Sequence, residues 1–274
     1  MNPVAANVST PVEPILARED AEGIAVLTLN RPKARNTLSD AMLAELTGTL
    51  AAIGRDRAVR VVVLAANGPA FCAGHDLKEM TAHRNAPDRG RAYFFDLFER
   101  CAAMMQAVVR LPQPVIAAVH ATATAAGCQL VASCDLAVAA KTASFGVNGI
   151  NVGLFCSTPM VALSRNVARK HAMEMLMTGD MISADEAFRF GLVNRVVEPG
   201  QAYDEAMALA KKLAAKSALA VKIGKEAFYR QAEMSLADAY RYAGEVMVEN
   251  MLARDVEEGV NAFIEKRPPR WKDR

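Results

Sequence analysis

Two short turns rich in glycine and alanine carry the residues that could do chemistry in this chain. The first reads Phe71-Cys-Ala-Gly-His-Asp-Leu-Lys78 and the second reads Ala125-Ala-Gly-Cys-Gln129. Small residues let a ligand approach the backbone closely, and the start of a helix offers unpaired N–H groups. Two such turns can direct two N–H donors at one oxygen, which is the chemistry of an oxyanion hole. Close backbone packing uses the same residues, so both interpretations remain open.

Several side chains near these turns are candidates for acid–base or nucleophilic chemistry. They are His75, Glu79, His83, Gln129, Asn148, Asn151, Cys156, Ser157 and Thr158. Cys156 would be a nucleophile if a base lowered its pKa, but no partner histidine is evident, and an inert buried thiol is the alternative. The side chain of His75 is open to a purely structural role. No carboxylate occurs between Asp135 and Glu174.

Composition bounds the class of protein. The chain has 274 residues, 52% of them hydrophobic and 23% charged, with a net charge of +2. These values predict a large α/β domain and argue against a nucleic-acid or membrane-surface partner. The five cysteines show no metal-ligand spacing, so neither a metal site nor a disulfide framework is expected. The first twelve residues do not resemble a signal peptide, and a cytoplasmic location is expected.

Strand and helix patterns alternate along the first half of the chain. Strand patterns cover 24–30, 60–66, 115–119 and 135–140, and helix patterns cover 38–53, 93–110 and 128–133. This alternation predicts a largely parallel sheet. Thr37 or Ser39 is expected to cap the first helix. The stretch 80–91 is polar and is predicted to be mobile. Beyond about residue 160 the pattern becomes helical, with a capping box at 183–186, a glycine cap at Gly191, and helices at 202–215, 218–231, 235–253 and 255–266.

Four segments together resemble the enoyl-CoA hydratase/isomerase (crotonase) superfamily. They are residues 29–36, 71–80, 127–137 and 184–197, which occur in the family's order and spacing. The resemblance extends over about residues 14 to 270. Within the superfamily, the run Gly153-Leu-Phe-Cys-Ser-Thr-Pro159 most resembles the enoyl-CoA hydratase domain-containing protein 3 group.

The resemblance implies an α/β fold of the crotonase (ClpP-like) type, with repeated ββα units and a C-terminal helical trimerisation region. The implied division is an N-terminal extension at 1–13, an α/β core at 14–200 and a helical region at 201–274. The implied assembly is a homotrimer or a hexamer made of two trimers.

The resemblance also implies a thioester carbonyl held by the backbone N–H groups of His75 and Ala126, although the family usually has glycine at the second position. Coenzyme A is expected as part of the thioester substrate, with no prosthetic group. The residues implied to line it are Arg31, Lys33, Ala34, Ala73, His75, Asp76, Leu77, Lys78, Phe263 and Lys266. The last two resemble residues that often reach coenzyme A from a neighbouring subunit.

The chain departs from the family pattern at the two catalytic glutamates. The matched positions hold Gln129 and Gly149, and a glutamine side chain does not exchange protons at neutral pH. Ordinary hydratase activity is therefore expected to be weak or absent. The expected function is an acyl-CoA thioester-binding protein of fatty-acid metabolism with an oxyanion hole. The alternatives are a non-catalytic acyl-CoA-binding or regulatory protein, a decarboxylase-type lyase acting on a coenzyme A thioester, and an oligomeric scaffold.

Overall fold

The computed structural model describes residues 13–273, so the predicted extension lies outside the described residues except for Glu13. In chain order the strands are β1 (Leu16–Ala21), β2 (Ile24–Leu29), β3 (Val61–Ala66), β4 (Ala70–Cys72), β5 (Val115–Val119), β6 (Thr122–Thr124), β7 (Leu136–Ala140), β8 (Ser144–Gly146), β9 (Ile182–Ser183) and β10 (Arg195–Val197). The helices are α1 (Asp40–Arg55), α2 (Leu77–Ala82), α3 (Arg91–Arg110), α4 (Ala126–Ser133), α5 (Pro159–Asn166), α6 (Arg169–Thr178), α7 (Ala184–Phe190), α8 (Ala202–Ala214), α9 (Ala218–Gln231), α10 (Leu236–Met251) and α11 (Arg254–Ile264).

The strands form a larger and a smaller sheet. The larger one has the order β1-β2-β3-β5-β7-β10, in which β1 is antiparallel to β2 and the other neighbours are parallel. The smaller one has the order β4-β6-β8-β9, in which only the pair of β8 and β9 is antiparallel. Along the chain, helices separate pairs of consecutive strands, and both sheets are largely parallel. The predicted α/β fold is therefore confirmed.

Helices cover both faces of the larger sheet. One face packs with α1, α3 and α4 in the main hydrophobic core, and the other face packs under α8 in a second core. The central strand β3 is buried on both faces because Val62 and Leu64 point into the first core while Val61 and Val63 point into the second. This explains why β3 reads as a continuous apolar run rather than an alternating one.

Helix boundaries follow local capping chemistry. Of the two predicted caps for α1, the structure uses Ser39, whose hydroxyl accepts a hydrogen bond from Met42 N at 3.2 Å. Helix α7 has the predicted capping box between Ser183 and Glu186, and it ends at Gly191 with a left-handed φ of 88°. The four predicted C-terminal helices match α8 to α11 to within two residues at each end.

The stretch 80–91, which its polarity predicts to be mobile, is partly helical, with turns at 86–90. It continues α2 to Ala82, adds a 3-10 turn at His83–Asn85 and then leads into α3. Met80 is buried, and the imidazole of His83 stacks on the ring of Tyr93 with centroids 3.6 Å apart. These contacts hold a helical path in a segment that has little apolar periodicity of its own.

A buried ion pair joins α9 to the rest of the protein. Lys225 Nζ lies 2.7 Å from Asp135 Oδ2, and it also donates to the carbonyl oxygens of Val108 and Gln113 at 3.1 and 3.0 Å. Tyr229 donates to the other oxygen of Asp135 at 3.0 Å. Burial raises the pKa of Asp135 and lowers the pKa of Lys225, and in both cases their mutual attraction opposes that shift.

The last residues of the chain fold back as a C-terminal strap, residues 267–273. Asp273 pairs with Arg60 at 2.7 Å and accepts from Ala218 N, at the start of α9, at 2.7 Å. The backbone N–H groups of Lys272 and Asp273 donate to the buried carboxylate of Asp255 in α11. The strap therefore ties α9 and α11 to the larger sheet.

Candidate functional site

The two small-residue turns lie side by side because their strands are neighbours. Strands β4 and β6 pair in parallel, and the turns leave them at the same end, just after Cys72 and just after Thr124. A Cβ atom built on Gly74 would lie 2.9 Å from Ala125 Cβ and 3.4 Å from Ala126 N. The structure thus brings together two turns that are about fifty residues apart in the sequence.

Neither of the two backbone N–H groups singled out by the sequence has an acceptor among the described residues. The backbone of the first turn pairs with the segment before α1 through Leu38 N, which donates to Gly74 O at 2.8 Å, and this pairing leaves His75 N unused. Ala126 is the first residue of α4, where an N–H has no partner within the helix. Both donors are therefore available to a bound molecule.

The second turn is strained at Ala125. This residue has φ 50° and ψ −120°, a conformation that alanine rarely adopts. The conformation is held by hydrogen bonds on both sides, since Ala125 N donates to Gly146 O at 2.8 Å and Ala125 O accepts from Gln129 N at 3.0 Å. Such strain at the start of a buried helix is typical of sites where the backbone itself contacts a ligand.

Gly127 sets the distance between α4 and β4. A Cβ atom at this position would lie 2.1 Å from the carbonyl oxygen of Cys72, so the helix can approach the strand only because Gly127 has no side chain. Gly127 follows Ala126 directly, and Cys72 lies three residues before His75. The close contact therefore fixes the two N–H groups relative to each other.

The side chain of His75 packs against α3. Its ring makes an edge-to-face contact with Phe98 at 5.8 Å, and neither ring nitrogen has a hydrogen-bond partner among the described residues. Burial lowers the pKa of His75, so the imidazole is neutral at physiological pH. This geometry favours a structural role for the side chain. The backbone N–H of the same residue remains an unpaired donor in the described part of the chain.

Asp76 and its neighbours form the rim of the first turn. The Asp76 carboxylate caps α2 by accepting from Lys78 N at 3.1 Å, and it also accepts from the Thr37 hydroxyl at 3.2 Å and lies 3.7 Å from Arg31 Nη2. The residues implied to line coenzyme A on this side lie together along this rim, with Lys33, Leu77 and Lys78 exposed and Arg31, Ala34, Ala73 and Asp76 half-buried.

Asn36 is a residue of this site whose role the sequence analysis did not predict. It is fully buried with a φ of 53°, and its side-chain amide donates to Asn67 O and Ala70 O at 2.8 and 2.9 Å while its oxygen accepts from Arg31 N at 2.8 Å. It therefore fastens the rim to the strand that leads into the first turn. The available signal was its residue type, because asparagine tolerates left-handed backbone better than other side chains do.

Phe263 and Lys266 lie on a different part of the chain. Phe263 is on α11 with 84% of its surface exposed, and Lys266 follows the helix with a left-handed φ of 55°. Helix α11 packs on α10, and among the described residues Lys266 forms no ion pair. No hydrogen bond or ion pair in the described part of the chain joins either residue to the two turns.

The two positions matched to the family's glutamates differ in their surroundings. Gln129 is 5% exposed and its amide oxygen has no hydrogen-bond partner among the described residues. Gly149 is crowded, since a Cβ atom there would lie 2.4 Å from Leu154 O and 2.8 Å from Cys156 Sγ. The loop closes on itself at this point, with Leu154 N donating to Gly149 O at 3.0 Å. Position 149 therefore has no room for any side chain.

The remaining polar candidates are largely occupied. Glu79 accepts from Asp40 N at 2.9 Å at the start of α1, and Asn148 accepts from the Thr124 hydroxyl at 2.7 Å. Cys156 accepts from Gly149 N at 3.3 Å, and burial raises the pKa of its thiol. Among the three others, Asn151 donates to Gly179 O at 3.2 Å, Ser157 donates weakly to Phe155 O, and Thr158 begins α5 without a side-chain cap.

Chemically, the arrangement is suited to polarising a carbonyl group. Two N–H donors beside the positive end of a buried helix stabilise negative charge on an oxygen, and they do so without changing their own protonation. Of the carboxylates described at this site, Glu79 accepts from Asp40 N, and Asp76 accepts from Lys78 N and the Thr37 hydroxyl.

The comparisons with known proteins agree with this architecture. The family profile described as Enoyl-CoA hydratase/isomerase matches residues 19–274. The chain therefore belongs to the enoyl-CoA hydratase/isomerase family, and the resemblance noted in its sequence is confirmed.

Comparison with individual relatives shows which members of the family this chain resembles. The chain is 46% identical to the enoyl-CoA hydratase domain-containing protein 3, mitochondrial, of Rattus norvegicus over 91% of this chain and 82% of that protein. The crystal structure of the human member of that group is 45% identical, with a TM-score of 0.89 over 93% of this chain and 99% of that one. A crystal structure called enoyl-CoA hydratase from Mycobacterium smegmatis is 57% identical, with a TM-score of 0.90 over 94% of this chain and 99% of that one.

Proposed function

We propose that this protein binds an acyl-CoA thioester and holds its carbonyl oxygen between the backbone N–H groups of His75 and Ala126. The observation that carries the proposal is the juxtaposition of two turns whose N–H groups have no acceptor in the described part of the chain. The exposed lysines and the half-buried Arg31 along the rim suit the phosphates of coenzyme A. Membership of the family supports the same ligand class.

Ordinary hydration of an enoyl-CoA is expected to be weak or absent. Two general acid–base groups contribute about 10²- to 10⁴-fold each, and positions 129 and 149 supply neither. The crowding at Gly149 supports this view, because a carboxylate could not be accommodated there without moving the Leu154 carbonyl. A non-catalytic acyl-CoA-binding protein is therefore the second candidate function, and the same crowding favours it over a simple isomerase.

The experiment that tests carbonyl binding uses infrared difference spectroscopy of a saturated acyl-CoA labelled with ¹³C at its carbonyl. Binding to the wild-type protein should shift the carbonyl stretch to lower frequency, because two N–H donors polarise the bond. Replacing Ala126 by lactic acid turns its N–H into an ester oxygen at the first position of α4 without adding atoms beside the strained Ala125, and it should reduce that shift. An unchanged shift in the folded variant would contradict the proposed hole.

A matched control places lactic acid at Ala202, which is also an alanine at the first position of a helix, α8, away from the two turns. The carbonyl shift should be unaffected in this variant. A parallel assay follows the absorbance of a short enoyl-CoA, and turnover at the rate of a relative that has both glutamates would refute the account of positions 129 and 149.

We also propose that the chain self-associates as a trimer or a pair of trimers. The helices α9, α10 and α11 expose apolar side chains that a monomer rarely leaves in water. They are Phe228, Leu236, Tyr240, Met247, Val248, Met251, Leu252, Val260, Phe263 and Ile264. Light scattering of Leu252→Glu should show dissociation to smaller species, and an unchanged mass would argue against this face as the interface.

The proposed setting is fatty-acid metabolism. The vertebrate relatives are called mitochondrial, so in a cell with mitochondria we propose that compartment in place of the cytoplasm. In a bacterial cell the expected location remains the cytoplasm. Within residues 13–273, no helix has the length and apolar character needed to cross a bilayer. The division at residue 200 stays a prediction, although α8 packs directly on the larger sheet.

A further inference from the structure

A hollow lies on the face of the larger sheet that packs under α8. Its volume is about 280 Å³, which is close to the lower limit for small-ligand pockets. Its lining comprises Glu19, Val26, Thr28, Ala65, Ala66, Asn67, Ala118, His120 and Tyr203. None of these residues belongs to the two turns described above.

Strand alternation explains the hollow. Val26, Val63 and Ile116 point toward α8 and pack in the second core. Two positions further along the same strands, the side chains on this face are Thr28, Ala65 and Ala118, which are smaller. Helix α8 begins at Ala202, and Tyr203 in its first turn is part of the lining.

The floor is made of small side chains. Ala65 and Ala118 are 8% and 3% exposed, and Thr28 lies on the same face beside them. A planar ring packs favourably against an aromatic side chain such as Tyr203. The small floor residues and this ring together favour a planar occupant.

The rim carries two hydrogen-bond acceptors, at Glu19 and His120. Glu19 pairs with Val26 across the strands, so its side chain lies on the same face, and it forms no ion pair or side-chain hydrogen bond among the described residues. His120 Nε2 lies 2.8 Å from Gly68 O. Because a carbonyl only accepts, Nε2 carries the hydrogen and Nδ1 is left as an acceptor in the neutral ring. The Tyr203 hydroxyl has no partner in the described part of the chain.

We propose that this hollow binds a small planar cation, such as an amidine, a guanidine or a protonated aromatic amine. The ring would lie on the alanine floor, and its N–H groups would donate to the Glu19 carboxylate and the neighbouring acceptors. A planar cation with N–H donors matches a carboxylate geometrically as well as electrostatically. An anion would meet the Glu19 charge and find neither lysine nor arginine in the lining.

This site is separate from the proposed acyl-CoA site. The floor residues belong to the second hydrophobic core, whereas Cys72, Ala126 and Cys128 belong to the first, across the larger sheet. Binding of a planar cation therefore does not depend on the two turns, and failure of one proposal leaves the other standing.

The test uses benzamidine as the probe and benzoate as its anionic match of similar shape, in ligand-observed NMR titrations of the full-length protein at physiological salt. Benzamidine should bind with a dissociation constant of about 1 mM, as expected for a probe of its size. Benzoate should bind at least about tenfold more weakly, because it lacks the N–H donors and carries the wrong charge.

The decisive variant is Glu19→Arg, which reverses the charge at an exposed position of an edge strand. It should weaken benzamidine at least about tenfold and strengthen benzoate. Glu45→Arg is the matched control, since Glu45 is exposed on α1 at the opposite face of the sheet, and it should leave both affinities unchanged. Equal affinities for the two probes in the wild-type protein, or equal losses in the two variants, would overturn the proposal.

Discussion

Replacing Gly127 by alanine should separate the two turns and destabilise the protein. The new Cβ atom would lie 2.1 Å from Cys72 O, whereas an ordinary carbon–oxygen contact is about 3.3 Å or longer. Helix α4 would have to move by about 1 Å, and overpacking of this kind costs about 3 kcal/mol. Alanine regains about 1 kcal/mol of helix propensity, so the net loss is about 2 kcal/mol.

Gly48 offers a control with the same substitution. It lies inside α1 and an added Cβ atom would meet nothing within 4 Å. Gly48→Ala should therefore stabilise the protein by about 0.5 to 1 kcal/mol through helix propensity alone. Thermal unfolding should show a midpoint about 5 °C lower for the Gly127 variant and about 2 °C higher for the Gly48 variant.

The acyl-CoA site provides a second measurement on the same pair of proteins. Gly127→Ala should weaken acyl-CoA binding because the N–H of Ala126 moves relative to that of His75, and Gly48→Ala should not. If both variants gained stability equally, the close approach of α4 to Cys72 would not be the constraint described here. If Gly127→Ala lost stability but bound acyl-CoA normally, the contact would not position the site.

Three other variants test the strained turn, the buried ion pair and the crowded loop. Ala125→Gly should raise the free energy of unfolding by about 1 kcal/mol by relieving the left-handed conformation, and a lower midpoint in urea unfolding would contradict the strain. Lys225→Met should cost about 3 kcal/mol by leaving Asp135 charged and unpaired. Burial raises the pKa of Asp135, so in the variant the ionised carboxylate destabilises the folded state more as pH rises. The free energy of unfolding lost by the variant, measured in urea, should therefore be smaller at acid pH than at neutral pH. Gln129→Glu combined with Gly149→Glu should fail to restore hydration of an enoyl-CoA, because position 149 is filled by Leu154 O and Cys156 Sγ. A folded double variant with hydratase activity would refute that crowding.

The elements with strong apolar periodicity were predictable from the sequence. Strands β3 and β5 and helices α1 and α3 bury regular sets of apolar side chains, and their bounds follow the patterns closely. Strand β1 was not predicted because its sequence, Leu-Ala-Arg-Glu-Asp-Ala, is mostly exposed and polar. It forms through backbone pairing with β2 along its full length, which is a tertiary effect that leaves no local pattern.

The adjacency of the two turns was predictable, but the packing around them was not. The positions of His75 and Ala126 followed from the matched motifs, and their adjacency required only that β4 and β6 be neighbours. The crowding at Gly149 was not predictable, because it arises from a loop in which residues five and seven positions later fold back on the glycine.

The C-terminal strap has a consequence for how the chain matures on the ribosome. Arg60, just before β3, pairs with Asp273, which follows it by 213 residues. Ala218 N, at the amino end of α9, donates to the same carboxylate. Both contacts therefore form only after residue 273 has left the exit tunnel.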